Sequence, residues 1–381
     1  MIKKKKKFFT DFAIESISHN GAHVLETQIP VGDPINFPHF EGLYTLRNDN
    51  KQADKFNNSP FSTPSKMVKG FLESSGTTKI DLTSKKTKIV KTITSSVFHF
   101  FADDVCDILY ALRLNPKAEL IIDVSKVEDK LGQPAWSFLD FFLDCLADHG
   151  VEYKLFDMSK FDVIYINDFT VAESIYRSSL SGDLIFEFFK AYVEDKDIKP
   201  SRNVYLTRKK VLKADTEKFI ASAAKLSVSH DERIDSHEEM ENLFSSLGYE
   251  IVAPEDFKDF KEQLNFFYSV KTIASITSSG LTNSLFMQPG GTVIEVSTPL
   301  VVESPFLAND RRLAIEEVKD GINPLIAQEL HMFYKTVAFL KNHTYFSINN
   351  SNRSAKEVKD YIYSNDRVLA FLDHNDKTNN L

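Results

Sequence analysis

Small and polar side chains fill a short segment, TSSGLTN at 277–283, between a predicted strand and a predicted helix. Small residues let the backbone approach a ligand closely, and the N–H groups that open a helix favour an anion. Ser279 and Gly280 lie where this helix would begin, and Thr282 and Asn283 add hydroxyl and amide donors. The pattern indicates a phosphate site, although an ordinary turn into a helix has the same composition. The segment lacks the GxGxxG and Walker patterns, so it is not a typical dinucleotide site or Walker loop.

Two charged residues end predicted strands on either side of this segment. Arg208 follows the strand NVYLT, and a guanidinium at a strand's carboxyl end can bind a diphosphate through two parallel hydrogen bonds. Glu295 ends the strand after the segment, where its carboxylate can accept hydrogen bonds from ribose hydroxyls. The alternatives are an exposed arginine at a domain edge and a strand-end carboxylate in solvent.

Acidic and imidazole side chains recur along a helix predicted directly after the strand TKIVKTITSS. His99, Asp103 and Asp107 are spaced i, i+4, i+8, so they share one face of that helix. The opposite face is apolar and should meet the core, through Phe98, Phe101, Ala102, Val105, Leu109 and Leu112. The polar stripe either faces a cleft, where it can exchange protons with a substrate, or is a solvated surface.

The composition limits the kind of protein and the kind of site. Hydrophobic residues make up 42% and charged residues 26% of the 381 residues, values typical of a globular protein. The net charge of -8 argues against a protein that coats nucleic acid, which needs a broad basic surface. Cys106 and Cys145 are too few for a disulfide framework, so we predict buried, reduced thiols. We predict no metal site, because Asp195 and Asp197 lie in a charged linker typical of a solvated turn.

The N-terminus, MIKKKKKFFTDF, has a basic run without the apolar region of a secretory signal. No stretch approaches the ~18 apolar residues that suggest a membrane span, so we expect a cytoplasmic protein. The basic run can contact an anionic membrane surface peripherally, and a solvated tail is the plainer interpretation.

Strand and helix patterns alternate from residue 87 onwards, whereas 1–85 is poorly readable because prolines divide it into short pieces. The polar run at 194–203 resembles a linker between two β/α halves. Crossovers through helices join parallel strands, so we predict an α/β protein with two Rossmann-like domains facing each other across a cleft. The predicted boundaries are 1–195, 196–345 and, for a C-terminal helix with a polar tail, 346–381.

Several short motifs follow one another in a specific order and spacing. In the second half these are YLTR with Arg208, then Arg233, LGYEIV, FKEQLNFF with Gln263, SSGLTNSLFMQPG, and VIEV with Glu295. In the first half, VFHFFADDVCDIL has His99 and Asp103 at its polar positions. Together these motifs resemble glycosyltransferase family 61, and the first-half segment is similar to a helix of that family. The chain departs from the family pattern at Thr207, where the family has Ser, at Ser236-His237 for Asn-Glu, and at TSSG (277–280) for His-Gly-Ala-Gly.

The resemblance implies a GT-B fold. It also implies an inverting transfer of a hexosyl or pentosyl group from a nucleotide-sugar, a UDP-sugar by our prediction. The acceptor would be a glycan hydroxyl in surface or capsular polysaccharide synthesis. Asp103, in preference to His99, would be the base that deprotonates this hydroxyl.

The same resemblance assigns the binding residues. Arg208 and the loop 279–283 would hold the diphosphate, Gln263 and Glu295 would assist at the nucleoside, and Arg233 would join the binding residues. We expect no cofactor and no essential metal, because protein cations can carry the charge of the leaving group.

Two other functions stay open. A GT-B-like sugar epimerase or phosphotransferase would use the same cleft for a different reaction. A non-catalytic paralogue would bind a nucleotide-sugar or a glycan without transfer, and the altered positions 236–237 and 277–278 are compatible with it.

Overall fold

The computed structural model describes residues 39–47, 67–69, 79–93, 97–128, 131–132, 136–161, 163–172, 181–207, 234–297, 334, 337–338, 341–349 and 354–373. The chain divides into two compact units, Met1–Ala191 and Tyr192–Leu381, and each has its own sheet. Arg208 and Arg233 lie outside the described residues.

In the described part of the first unit, the sheet has seven strands in the order β2-β1-β7-β4-β5-β6, and β3 also pairs with β7. They are β1 His39–Arg47, β2 Met67–Lys69, β3 Lys79–Asp81, β4 Lys88–Thr92, β5 Glu119–Asp123, β6 Tyr153–Phe156 and β7 Val163–Val171. Strands β3 to β7 pair in parallel, as the alternation of strands and helices predicts. The sheet as a whole is mixed, however, because β1 joins β7 and β2 in antiparallel pairs. That pairing could not be predicted, since β1 lies in the part of the sequence without a readable pattern.

Strands β4 and β5 form the centre of this sheet. Every residue of both strands is buried, as expected of parallel strands that are covered on both faces. Within the described residues, three helices longer than one turn accompany the sheet: α1 at 97–114, α2 Ser137–Asp148 and α3 Ser181–Lys190. Phe100 and Phe101 of α1 contact Phe138 of α2, with ring centroids 4.9 and 5.7 Å apart, so phenylalanine fills this core.

Helix α1 changes its backbone pattern along its length. It is α-helical at Val97–His99, π-helical at Phe100–Val105 and α-helical again at Cys106–Leu114. In the π segment hydrogen bonds run from i to i+5, so side chains after it no longer follow the 3.6-residue period. All six residues predicted for the apolar face are nevertheless buried.

Among the residues described in the second unit, five strands form a sheet whose pairs are all parallel, in the order β12-β11-β10-β8-β9. The strands are β8 Arg202–Leu206, β9 Glu250–Val252, β10 Val270–Ile276, β11 Thr292–Ser297 and β12 Thr344–Asn349. The helices are α4 His237–Ser246, α5 Phe260–Tyr268, a 3-10 helix Ser279–Phe286, α6 Ala355–Ser364 and α7 Asp366–Leu372. Three of these helices begin after a residue whose side chain accepts a hydrogen bond from the backbone N–H three residues later. These residues are Ser236, Asp259 and Ser354.

The strand order of the second unit indicates where a ligand can bind. The first strand, β8, has its successor β9 on one side and β10, β11 and β12 on the other. Open α/β sheets bind ligands at the carboxyl ends of strands where the order reverses in this way. In this unit that point lies between the ends of β8 and β10, which are Leu206 and Ile276. The α/β class with parallel strands is therefore confirmed, and the topology points to the segment that follows β10.

Among the helices of the described residues, none combines the length and the apolar character that a membrane span requires.

Candidate functional site

In the first unit, His99 and Asp103 lie in the first turns of α1, which follows the carboxyl end of β4. The imidazole Nδ1 is 2.6 Å from the Asp103 carboxylate, within hydrogen-bonding distance. The two side chains are 39% and 22% exposed, so both are open to solvent in part. This pairing matches the i, i+4 spacing in the sequence.

The His99–Asp103 pair has the geometry of an acid–base dyad. With the carboxylate at Nδ1, that nitrogen carries the proton, and Nε2 is left as the basic nitrogen. The carboxylate also fixes the direction of the ring and stabilises the imidazolium that forms when Nε2 takes up a proton. A partly exposed imidazole held in this way can accept a proton from a hydroxyl.

Asp107, the third member of the predicted polar stripe, does not lie on an exposed face. It is 2% exposed, and its carboxylate is 2.7 Å from the ammonium of Lys91 on β4. Asp104 is fully buried and lies 3.2 Å from the same ammonium. The prediction of one continuous polar face was wrong at this position, because the π segment between His99 and Cys106 breaks the α-helical period.

The sequence analysis missed Lys91 and Asp104. A signal for Lys91 was present, because this lysine interrupts a β-branched run that reads as a strand buried on both faces. A lysine in such a strand needs a carboxylate partner, since an isolated buried charge is very costly. Which carboxylate it meets depends on how the helix packs, and spacing alone does not show that.

Asp123 closes the carboxyl end of β5 as a buried structural acceptor. It accepts hydrogen bonds from the Ser125 N–H at 3.0 Å, the Met158 N–H at 3.1 Å and the Thr92 hydroxyl at 3.0 Å. Burial raises the pKa of this carboxyl above its ordinary value, although the hydrogen bonds act in the other direction. Asp123 therefore ties together the loops after β4, β5 and β6.

In the second unit, the segment after β10 starts with a buried network around Glu295. The Thr277 hydroxyl donates to one carboxylate oxygen at 2.7 Å, and the Tyr345 hydroxyl donates to the other at 2.6 Å. Glu295 is fully buried and lies within β11, so the interpretation as a strand-end carboxylate in solvent was wrong. Burial and the nearby Glu295 carboxylate raise the pKa of Tyr345, which keeps its hydroxyl protonated as a donor. The Glu295 carboxylate thus holds the start of the loop through its hydrogen bond with Thr277.

The rest of the loop is held by side-chain amides. The Gln263 amide on α5 donates to Asn283 at 2.6 Å, and the Asn283 amide donates to the Gly280 carbonyl at 2.8 Å. The structure therefore joins Gln263, Asn283 and Gly280 in one chain of hydrogen bonds, whereas their role in a common binding site stays a prediction. Ser279 is exposed at the start of the 3-10 helix, which leaves that end of the loop open to solvent.

Two further side chains contribute to this loop. Tyr334, another residue that the sequence analysis missed, donates from its hydroxyl to the Ser278 carbonyl at 2.7 Å. The Thr282 hydroxyl is buried and makes no hydrogen bond within the described part of the chain. A buried hydroxyl without a protein partner is uncommon and fits a position that meets a ligand.

The described residues contain no group of three His, Cys, Asp or Glu side chains arranged to hold a metal ion. Arg208 and Arg233, the cations assigned to this site from the sequence, lie outside the described residues, so their placement stays a prediction.

A comparison with known protein families matches a range of residues that extends over both units. The model of the family described as Glycosyltransferase 61 matches residues 97–294, just over half of the chain. The match begins at the first residue of α1 and ends one residue before Glu295, so it includes His99, Asp103 and the loop after β10. No curated protein matches the chain.

Proposed function

The chain belongs to glycosyltransferase family 61, and from this premise we propose an inverting transfer from a nucleotide-sugar to a hydroxyl of a glycan acceptor. The observation that carries the proposal is the His99–Asp103 pair, because inversion needs one base on the acceptor hydroxyl. The loop after β10 supports a diphosphate donor through its position at the reversal of strand order. The GT-B fold, a UDP-sugar donor and an acceptor in surface or capsular polysaccharide belong to the same proposal.

In the proposed reaction the acceptor oxygen attacks the anomeric carbon of the donor sugar. The bond from that carbon to the diphosphate oxygen breaks, and the electron pair leaves with the nucleoside diphosphate. His99 Nε2 takes the proton of the acceptor hydroxyl, and Asp103 orients the ring and stabilises its positive charge. The 2.6 Å contact supports this assignment, which reverses the preference for Asp103 as base drawn from the sequence.

The leaving diphosphate needs donors and positive charge. We assign the donors to the N–H groups at the start of the 3-10 helix, with the hydroxyls of Ser279 and Thr282. Arg208 and Arg233 supply the charge, so the reaction does not depend on a metal ion. Gln263 and Asn283 hold the loop in shape, and Glu295 acts through Thr277 rather than through the ribose.

Calorimetry with a panel of UDP-, GDP- and CMP-sugars tests the donor assignment. We expect wild type to bind one class, and Arg208→Ala to bind it at least tenfold more weakly, a loss of about 1.4 kcal/mol. Arg202→Ala is the matched control, because Arg202 starts β8, the strand that precedes Arg208 in the sequence, and forms an exposed ion pair with Glu250. This control should bind the donor within twofold of wild type, since such surface pairs contribute little.

Product analysis separates the proposed reaction from the alternatives. A new glycosidic bond with inverted anomeric configuration supports the transferase, and an altered sugar nucleotide indicates an epimerase. Binding without any product points to a non-catalytic paralogue. If no nucleotide-sugar binds to wild type, the proposal is wrong. Equal donor affinity of Arg208→Ala and wild type would overturn only the role of Arg208.

A further inference from the structure

We propose that Lys91, through Asp104 and Asp107, positions the His99–Asp103 pair for proton transfer. The inference rests on the proposed function, because it assigns a role to Lys91 only if His99 is the base. Lys91 lies on β4, outside the residues that the family model matches. It acts through the helix and is a positioning residue rather than a catalytic one.

The three charged groups form a buried cluster between strand and helix. Lys91 is 5% exposed, and its ammonium lies 2.7 Å from Asp107 and 3.2 Å from Asp104. Removing such charges from water is costly unless each has a partner of opposite sign. Helix α1 can therefore pack on β4 only in the register that places both carboxylates against Lys91. Apolar contacts impose a register less strictly, because a core can be repacked when its volume and pattern are kept.

The positions of the two carboxylates on α1 give the cluster its specific effect. Asp104 lies within the π segment, and Asp107 lies in the first turn of the α-helix that follows. One ammonium thus holds both sides of the junction between the two helical forms. If the π segment relaxed to the α form, the residues before it would turn relative to those after it, since the hydrogen bonds would shift from i+5 to i+4. His99 and Asp103 lie in or before this segment and would turn with it.

A small displacement of the base is enough to slow transfer. A misplacement of about 1 Å at a reacting group can cost on the order of 100-fold in rate. The bond between Nδ1 and Asp103 would survive such a turn, because both residues are close together in the chain. The direction of Nε2 relative to the acceptor would not survive it. The expected defect therefore appears in kcat and not in donor binding.

Lys88 provides a matched control in the same strand. It is fully buried, and its ammonium donates to the carbonyls of Lys86 at 2.9 Å and Asn167 at 3.1 Å and to the Asn167 side chain at 3.0 Å. Replacing either lysine by methionine removes a buried cation from β4. Only Lys91 contacts carboxylates of α1, so only its replacement should affect the dyad.

The experiment measures kcat and donor KM for Lys91→Met, Lys91→Arg, Asp107→Asn and Lys88→Met, with melting temperatures for each. We expect Lys91→Met to lower kcat at least tenfold with KM within twofold, and Lys91→Arg to recover most of that loss. Lys88→Met should leave kcat within twofold of wild type, and Asp107→Asn should lie between the two methionine variants. Adding Lys91→Met to His99→Ala should lower kcat no further.

Equal loss of kcat in the two methionine variants would overturn the inference, and so would additive loss in the double variant. Amide hydrogen exchange without substrate gives a second measurement that does not need activity. Lys91→Met should speed exchange at 97–107, whereas Lys88→Met should not. If wild type transfers no sugar from any donor, the proposed function fails. Unchanged exchange at 97–107 in Lys91→Met would overturn the anchoring by Lys91 independently.

Discussion

The strand ends of the first unit lead to ionisable side chains, whereas the loop after β10 in the second unit presents hydroxyls, amides and backbone N–H groups. His99 and Asp103 are paired and partly exposed at the start of α1. In the second unit the nearby carboxylate, Glu295, is fully buried, and both its oxygens accept hydrogen bonds from hydroxyls. This contrast concerns the described residues, which do not include Arg208 and Arg233.

The proposed function would account for this contrast, because its two kinds of chemistry have different requirements. Proton transfer needs a group whose charge can change, so an imidazole with a carboxylate must reach the substrate. Binding of a diphosphate needs donors, and an exposed carboxylate beside it would repel the phosphate oxygens. Burying Glu295 under Thr277 and Tyr345 keeps its structural role and separates its charge from the loop surface. Under the proposed function, the charge at the strand ends thus suits the two sheets to different steps of the reaction.

The largest expected effect comes from removing the base. His99→Ala should lower kcat by about 10²–10⁴, because general base catalysis contributes on that order. Initial rates of sugar transfer measure kcat, and calorimetry on the same protein measures donor affinity. Donor affinity should stay within twofold, since the base belongs to the acceptor side of the reaction. An equally large loss of donor affinity would show that His99 takes part in donor binding, and it would contradict this assignment.

Removing one hydroxyl from the second unit should have a smaller effect, on stability. Thr277→Val keeps the shape of the side chain but removes a hydroxyl that donates to a buried oxygen of Glu295. We expect a loss of about 1–3 kcal/mol in the free energy of unfolding, measured by urea denaturation. The same change beside Glu295→Met should cost much less, because no carboxylate then needs the hydroxyl. An equal cost in both backgrounds would show that Thr277 stabilises the loop without Glu295.

The smallest expected effect is a difference in how the two units respond to acid. His343, before β12, is buried and accepts the Gly291 N–H at Nδ1. Burial, with a further effect from Lys341, lowers the pKa of His343 from 6.5 to about 3. Between pH 6.5 and about pH 3, His343 takes up a proton in the unfolded chain but not in the folded chain. The stability that His343 contributes is therefore fully present above 6.5 and is lost as the pH falls towards 3.

The contribution of Asp123 to the stability of the first unit changes with pH in the opposite direction. Its pKa is raised above 3.8, so its contribution is fully present below 3.8 and is lost as the pH rises through the raised value. Between pH 7 and pH 5.5 we expect the second unit to lose about 1 kcal/mol through His343. Amide hydrogen exchange at the two pH values measures the stability of each unit separately. The variant His343→Gln should abolish the loss in the second unit. An unchanged pH dependence in that variant would contradict the assignment.

The local elements could be predicted because they depend on short-range patterns. The i, i+4 spacing of His99 and Asp103, and the small residues after β10, lie within single segments whose period or composition is visible in the sequence. Gln263 and Asn283 were assigned to one site through the family resemblance, and the structure places them in contact at 2.6 Å.

The remaining features depend on packing between distant segments. Lys91 meets Asp104 and Asp107 only once α1 lies on β4, and the π segment that aligns them has no periodic signature. The buried Glu295 accepts a hydrogen bond from the hydroxyl of Tyr345 on β12. The residue spacing within β11 does not predict that β12 pairs with it. The antiparallel pairing of β1 with β7 joins segments more than a hundred residues apart. Long-range contacts of this kind are fixed by the complete fold and not by any one segment.

The central position of β4 also determines how this chain can be shortened for expression. The family model starts at residue 97, after β4, and ends before β12. A protein cut to 97–294 would lose the strand between β5 and β7 and expose the backbone edges of both. Unpaired strand edges promote association with other chains, so such a fragment should aggregate. The residues that define the family are therefore not a folding unit by themselves, and the strands on either side must be kept with them.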